Sequence, residues 1–404
     1  MVTLADIQAA RARIGGALYE SPCAYSETTS RLTGARVFFK LDNLQMTGAF
    51  KERGALNKLL SLTLAERQRG VVAASAGNHG LAVAFHSQRL GVSATIVMPR
   101  FAPLVKVSWA RRYGANVVLS GMDFDEALTE ARRLQEEHGY VFIPAFNDPA
   151  VIAGQGTLGL ELLEQVPDLD AVLVPVGGGG LIGGLALALK ESGFIGRVIG
   201  VQAERVAGMQ AALAAGNPVS LPPAATIADG IAVRRVGELT LPLVQRYVDD
   251  IVTVSEAELA RAILLFLENE KTVVEGAAAT PLAALLHRSL NLAGQTVILV
   301  VSGGNIDVNV IARVIEKGLV QEGRLTRISL IIIDRPGALA RVSALVAEQG
   351  ANIEGIVHTR GFSRAEIGES EITLTLETFG PQHIAEVLAT LRTAGYQVFE
   401  EQRS

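Results

Sequence analysis

From its start to about Gly318 the 404-residue chain alternates short apolar, β-branched runs with helical patterns. That alternation limits the possible folds more than any other feature. The runs Val37–Leu41, Val71–Ala74, Ser93–Met98, Asn116–Leu119, Ala171–Val176, Val198–Gln202 and Thr296–Val301 read as strands. Several are apolar on both faces, as strands of a parallel sheet covered by helices should be. Two helix starts are legible between them: Thr63 with Glu66, and Ser255 with Glu258, have capping-box spacing. The expected class is α/β with an open parallel sheet, in a chain long enough for two or three domains.

The pattern changes after Gly318, and 319–326 reads as a linker. Beyond it come a strand (Arg327–Asp334), a helix (Ala338–Gln349), strands Asn352–Thr359 and Glu371–Thr378, a helix (Pro381–Ala394) and a strand (Tyr396–Glu400). The order β-α-β-β-α-β is ferredoxin-like.

Bulk properties exclude several classes. A formal net charge of -5 offers no basic field for nucleic acid or an anionic membrane. No apolar run reaches the roughly 18–20 residues of a membrane span, and Asp6, Arg11 and Arg13 stand where a secretory signal would be apolar. The single cysteine, Cys23, reads as structural, and a reducing, cytoplasmic setting is expected.

The chemistry should sit where strands run into small-residue turns, because ligands of open parallel sheets bind beyond the strands' carboxyl ends. Three such turns are Ser75-Ala76-Gly77-Asn78-His79, Gly177-Gly178-Gly179-Gly180-Leu181 and Ser302-Gly303-Gly304-Asn305. Four consecutive glycines before a helix are costly as mere punctuation. Their amides, added to a helix N-terminus, make a phosphate cradle. Gly178, Gly180 and Gly183 also match the dinucleotide fingerprint, with Glu204 about where its ribose-binding acid falls, so a nicotinamide-dependent oxidoreductase competes. Against it stands Lys51, in Thr47-Gly48-Ala49-Phe50-Lys51-Glu52-Arg53. Lys40, Lys58 and Lys190 read as solvated surface, whereas Lys51 follows a small-residue turn and precedes a helix expected over Arg53–Leu60. The helix dipole there would favour its neutral amine. An exposed helix lysine is the bland alternative.

Six segments in order resemble the fold type II pyridoxal-phosphate enzymes, specifically the threonine dehydratases (threonine ammonia-lyases) and their serine racemase relatives. They are TGAFKERGA (47–55), SAGNHG (75–80), PRFAPLVK (99–106), GGGGLIGG (177–184), DGIAV (229–233) and SGGN (302–305). The likeness spans about residues 5–318. The segment with Asp334-Arg335-Pro336-Gly337 between strand and helix resembles an ACT domain. The resemblance implies a tryptophan-synthase-β-like catalytic region over 1–318, with a smaller subdomain inserted at about 46–150, and an ACT domain over 327–404.

It also implies roles. Lys51 looks like the lysine that carries pyridoxal 5'-phosphate and takes the Cα proton. Phe50 is similar to the aromatic beside the cofactor, and Asn78 to the residue that bonds the pyridine 3′-oxygen. Gly177, Gly178, Gly179, Gly180 and Leu181 resemble the phosphate cup, and Ser302 the partner of the ring nitrogen. Ser75, Ala76 and His79 lie where the family binds the substrate carboxylate, although His79 also reads as a structural histidine. The implied reaction removes water from L-threonine, giving 2-oxobutanoate and ammonia, with L-serine also accepted; a serine or 3-hydroxyaspartate dehydratase would use the same apparatus. Two departures matter. Ala76 replaces the racemases' second acid/base serine, and Gln202 stands where they carry a cation-binding carboxylate, so no metal is expected. The ACT domain implies an amino-acid effector, isoleucine or valine, near Asp334, Gly337, Leu339 and Asn352, in a homodimer or homotetramer serving isoleucine synthesis or threonine breakdown.

Overall fold

The runs expected to be apolar on both faces are buried at every residue in the strands Ala171–Pro175 and Thr296–Val301, because helices cover them from both sides. A computed structural model describes residues 1–400, and the chain divides into the units Met1–Asp307 and Val308–Ser404.

In the first unit β1 (Cys23–Tyr25) lies antiparallel to β2 (Arg36–Leu41). The chain then builds a separate parallel sheet from β3 (Val71–Ala74), β4 (Ala94–Met98), β5 (Asn116–Leu119) and β6 (Val141–Phe142), ordered β5-β4-β3-β6. It returns to the first sheet with β7 (Ala171–Pro175), β8 (Arg197–Ala203), β9 (Asp250–Val254) and β10 (Thr296–Val301). That sheet is ordered β1-β2-β10-β7-β8-β9 and is parallel apart from β1. Strand β10, the last of this sheet in chain order, inserts between β2 and β7, which creates a switch in strand order. Both expected capping boxes form, at Thr63 and Ser255. Strands β1, β6 and β9 escaped the sequence reading because two of them span only two or three residues and all are partly exposed.

The second unit begins with the helix Val308–Gln321, which continues into the stretch 319–326. Strand β11 (Leu325–Ile333) follows, then β12 (Asn352–Thr359), β13 (Glu369–Glu377) and β14 (Val398–Glu400), in an antiparallel sheet ordered β12-β13-β11-β14. The helices Ala338–Glu348 and Pro381–Thr393 pack on one face through Val342, Val346, Val387 and Leu391. This is the expected βαββαβ order.

Candidate active site

The carboxyl ends of β2, β3, β7 and β10 lead into every segment that holds an expected first-unit site residue, and two of these segments are tied by backbone bonds. Phe50 N donates to the Ser302 carbonyl at 2.9 Å, and Gly304 N to that of Gly48 at 2.9 Å. Gly48 has a φ of 74°, and a Cβ there would come within 2.6 Å of Asn305 Oδ1, so the close approach requires glycine. Asn305 Nδ2 donates to the Thr47 carbonyl (2.6 Å) and to Asn78 Oδ1 (2.9 Å), which draws in the turn after β3.

Lys51 is the first residue of the helix Lys51–Ser61, two residues earlier than expected. Its amine donates to the Ala145 carbonyl at 2.9 Å and lies 5.0 Å from the centroid of the Phe50 ring. Burial lowers its pKa to about 8, against the opposing pull of the Glu275 carboxylate. Desolvation thus lowers the amine where the sequence reading invoked the helix dipole. The following residues anchor it: Glu52 and Arg53 are fully buried, Glu52 against Thr47 N and His86, Arg53 against Asp42 and Glu161.

The surface reading of Lys40 is wrong. Lys40 is fully buried, and its amine donates to Glu161 (2.6 Å), the Ser21 carbonyl (2.6 Å) and Gln165 (3.0 Å). A lysine within a strand apolar on both faces has nowhere else to go, and that was the available signal. Lys58 and Lys190 are half-buried and ion-paired with Asp148 and Asp249. Burial pushes the Cys23 thiol up to about 12, which leaves it unreactive.

After β7 the glycines wrap closely around their neighbours. Gly179, with φ 92°, precedes the helix Gly180–Glu191. A Cβ on Gly178 would fall 2.5 Å from the Phe146 ring, and one on Gly179 2.5 Å from Met209 and 2.7 Å from Thr240 Oγ1. Gly177 and Gly180 are confined less tightly, a Cβ meeting Ile231 at 3.0 Å and Phe146 at 2.9 Å, and Leu181 is buried. The turn therefore brings bare backbone amides to a helix N-terminus, as an anion cradle requires.

In the turn after β3, Ser75 is buried and its Oγ accepts from Gly77 N at 3.1 Å, while Ala76 is partly exposed. His79 lies 2.8 Å from the Ile143 carbonyl. Burial, reinforced by the Lys51 charge, pulls its pKa down to about 3, so the ring is neutral, with Nε2 donating. Its Nδ1 is buried without a partner. The geometry is that of a structural histidine. Ser302 is buried beside the backbone of Phe50.

Sequence reading missed Phe146 over the glycines and Glu275, and named Asn305 only as part of its turn, with no role. Glu275 is 4% exposed and accepts from Asn78 Nδ2 with both oxygens, at 2.8 and 3.0 Å. Burial pushes its pKa up to about 7, helped by Asp229 and opposed by the Asn78 hydrogen bond, Lys106 and Lys51. An acid between Val274 and the Gly-Ala run that opens the helix Gly276–His287 was its only local signal.

In the second unit Asp334 and Gly337 lie in the turn after β11, and Leu339 is the second residue of the helix that follows it. Asp334 pairs with Arg360 at 2.6 Å, and Gly337 (φ 87°) precedes the helix Ala338–Glu348. Asn352 does not join them. Strand β12 runs in the same direction as β11, with β13 antiparallel between them, and Asn352 registers with Glu377, which registers with Leu325. It therefore lies at the opposite end of the sheet, roughly 25 Å along the strands, where it donates to Glu377 at 2.9 Å. Among the described residues no cluster of three His, Cys, Asp or Glu could hold a metal. Gln202 Nε2 donates to the Val176 carbonyl at 3.2 Å. No helix of the described residues is long and apolar enough to cross a membrane.

Comparison with known proteins matches residues 14–303 to the family model described as pyridoxal-phosphate dependent enzyme, and residues 326–393 to that of the ACT domain. The chain is 49% identical over 398 residues to the L-threonine ammonia-lyase of Thermotoga maritima, covering 98% of this chain and 99% of that protein. Threonine deaminase isoform 2 from Solanum lycopersicum, in its processed form, superposes with a TM-score of 0.74 at 37% identity, over 78% of this chain and 86% of that one. Serine racemase from Dictyostelium discoideum superposes with a TM-score of 0.72 at 36% identity, over 76% and 99%.

Proposed function

The chain belongs to the pyridoxal-phosphate dependent enzymes, and from that premise we propose that it removes water from L-threonine to yield 2-oxobutanoate and ammonia, acting also on L-serine. The observation that carries this reading is the near-full-length identity to a threonine ammonia-lyase, combined with a lysine whose amine is lowered to about 8. The nicotinamide alternative falls with the family assignment, and Glu204 stands exposed beyond β8.

The residues fit the cofactor. The turn after β7 leaves no space for a Cβ at Gly178, Gly179 or Gly180 and suits a phosphate, Asn78 carries an amide for the 3′-oxygen, and Ser302 a hydroxyl for the ring nitrogen. When bound, the cofactor supplies the electron sink for the pair left at Cα. Lys51 holds it and then, as free amine, takes the Cα proton. A value near 8 keeps roughly a tenth of the amine neutral at pH 7, against well under a thousandth for an ordinary lysine. Phe50 packs beside the site. Ser302, a neutral donor, does not hold the ring nitrogen protonated as an aspartate would. The weaker sink suits prompt departure of a β-hydroxyl, and the dehydrated product takes up water to release ammonia.

An oxo-acid assay across threonine, serine and 3-hydroxyaspartate is expected to give the highest kcat/KM with threonine. A clear preference for 3-hydroxyaspartate would overturn the substrate. Chiral chromatography of the same mixtures should find negligible D-threonine or D-serine, because Ala76 has no proton to give where the racemases carry a serine. Substantial D-product would refute that role.

The ACT domain supports regulation by an amino acid, isoleucine or valine, at the turn Asp334–Leu339, in a homodimer or homotetramer in the cytoplasm; the role in isoleucine synthesis goes with an isoleucine effector. Asn352 contributes only where a second copy brings it to that turn. Full-length protein should show a change in threonine KM with isoleucine, and Gly337→Val, strained at φ 87°, should abolish the response while basal activity persists. An unaltered response in that variant would place the effector elsewhere.

A further inference from the structure

Both ends of the Asn78 amide are already spoken for inside the protein. Its Oδ1 accepts from Asn305, whose own orientation is set by donation to the Thr47 carbonyl. Its Nδ2 donates to the two oxygens of Glu275 at 2.8 and 3.0 Å. An ionised carboxylate only accepts, so this pair of partners admits one orientation of the amide and leaves the second Nδ2 proton free. The carboxylate is itself fixed. Glu275 N donates to the Gly303 carbonyl at 3.1 Å, and a Cβ on Gly303 would stand 2.6 Å from Glu275 Oε1, so the turn after β10 has been cut back to glycine to admit it.

We infer that Glu275 is the positioning residue of the site: by accepting from Asn78 it aims the remaining Asn78 amide proton at the cofactor oxygen. This rests on the reading that Asn78 meets the cofactor. Glutamine is a poor substitute, because it keeps one acceptor in place of two and sets its own amide donor against Asn78 Nδ2 at the second position.

Energetics point the same way. The charged groups facing Glu275 are Lys51, Lys106 and Asp229, the last two paired at 2.9 Å. Its folded-state pKa of about 7 lies above the ordinary 4.5, so the ionised form costs the fold stability. That cost is absent below pH 4.5, grows between 4.5 and 7, and is complete above. A buried carboxylate kept at such a cost beside Lys51 is better explained by function than by stability.

The test uses full-length protein and three variants: Asn78→Ala, Glu275→Gln, and the exchanged pair Asn78→Asp with Glu275→Gln. For each, the visible spectrum of the loaded protein, the dissociation constant for pyridoxal phosphate and the melting temperature are measured. Asn78→Ala and Glu275→Gln should shift the spectrum alike and weaken cofactor binding by roughly ten- to a hundredfold, as for a lost hydrogen bond to a charged group. The wild-type spectrum should change as Glu275 titrates and that of Glu275→Gln should lack that change. The exchanged pair restores a hydrogen bond between positions 78 and 275 but presents an acceptor where a donor is needed. It should recover melting temperature without recovering the spectrum, and it carries the comparison if Glu275→Gln does not fold. Recovery of both by the exchanged pair, or a wild-type spectrum and affinity in Glu275→Gln, would overturn the orienting role alone. Wild-type behaviour of Asn78→Ala would overturn the reading beneath it.

Discussion

Lys51→Ala is expected to abolish the visible absorption of the cofactor-loaded protein and to lower kcat/KM for threonine by about 10⁴-fold or more, the upper range for loss of a general base. The effect is large because one amine serves twice, as the attachment point and as the base, and no other lysine can replace it. Lys40 is locked to Glu161 under the sheet, and Lys106 is held by Asp229. Capture of pyridoxal phosphate by the wild-type apoprotein should also depend on pH. Only the neutral amine attacks the aldehyde, so the rate should rise with pH to a plateau above about 8 and fall about tenfold per unit below it. A midpoint near 10.5 would mean that Lys51 is solvated as an ordinary lysine.

Arg53→Met is expected to destabilise the first unit by about 3–5 kcal/mol at pH 7, read from denaturant titration. Arg53 is 1% exposed and binds Asp42 through Nε (2.7 Å) and Nη2 (2.9 Å), Glu161 through both terminal nitrogens, and Thr157 at 3.2 Å. Removing it strands two buried carboxylates, and of the cations bonded directly to them Lys40 remains, on Glu161. In the native protein the arginine holds the Asp42 pKa below 3.8 despite the burial that would raise it. That contribution is present above the unfolded value and is lost as pH falls through the folded one. In Arg53→Met the stranded carboxylates should take up protons, so the gap from wild type should narrow toward acid pH. A gap independent of pH would assign the loss to packing. Because Arg53 lies two residues beyond Lys51, cofactor binding should weaken alongside stability.

What the sequence revealed and what it hid divide along one physical line. The placement of Lys51, the glycines 177–180, Ser302 and Asn78 was legible because it is local (a strand ends, small residues follow, and in most cases a helix begins), whereas the roles assigned to Asn78 and Ser302 came from the family resemblance. The buried strands and capping boxes were legible for the same reason. Lys40, Arg53 and Glu275 were hidden because partners distant in the chain define them. Lys40 meets Glu161 across 121 residues, and Asn78 meets Glu275 across 197. A charged residue reads as surface until its counter-charge is found, and one sequence gives no means of finding it. Phe146 was hidden likewise, since only the fold shows which ring the bare glycine backbone accommodates. Asn352 does not share the effector turn within one chain for a topological reason: closeness in sequence said nothing about which end of the sheet it would occupy.

The most direct test is covalent. The protein loaded with pyridoxal phosphate is reduced with borohydride, digested, and mapped by mass spectrometry. The expected result is one modified peptide, carrying the cofactor on Lys51, with the modification diminished when the reduction is carried out in the presence of excess threonine. Modification at Lys40, Lys106 or another lysine, with Lys51 unmodified, would contradict the assignment of the site.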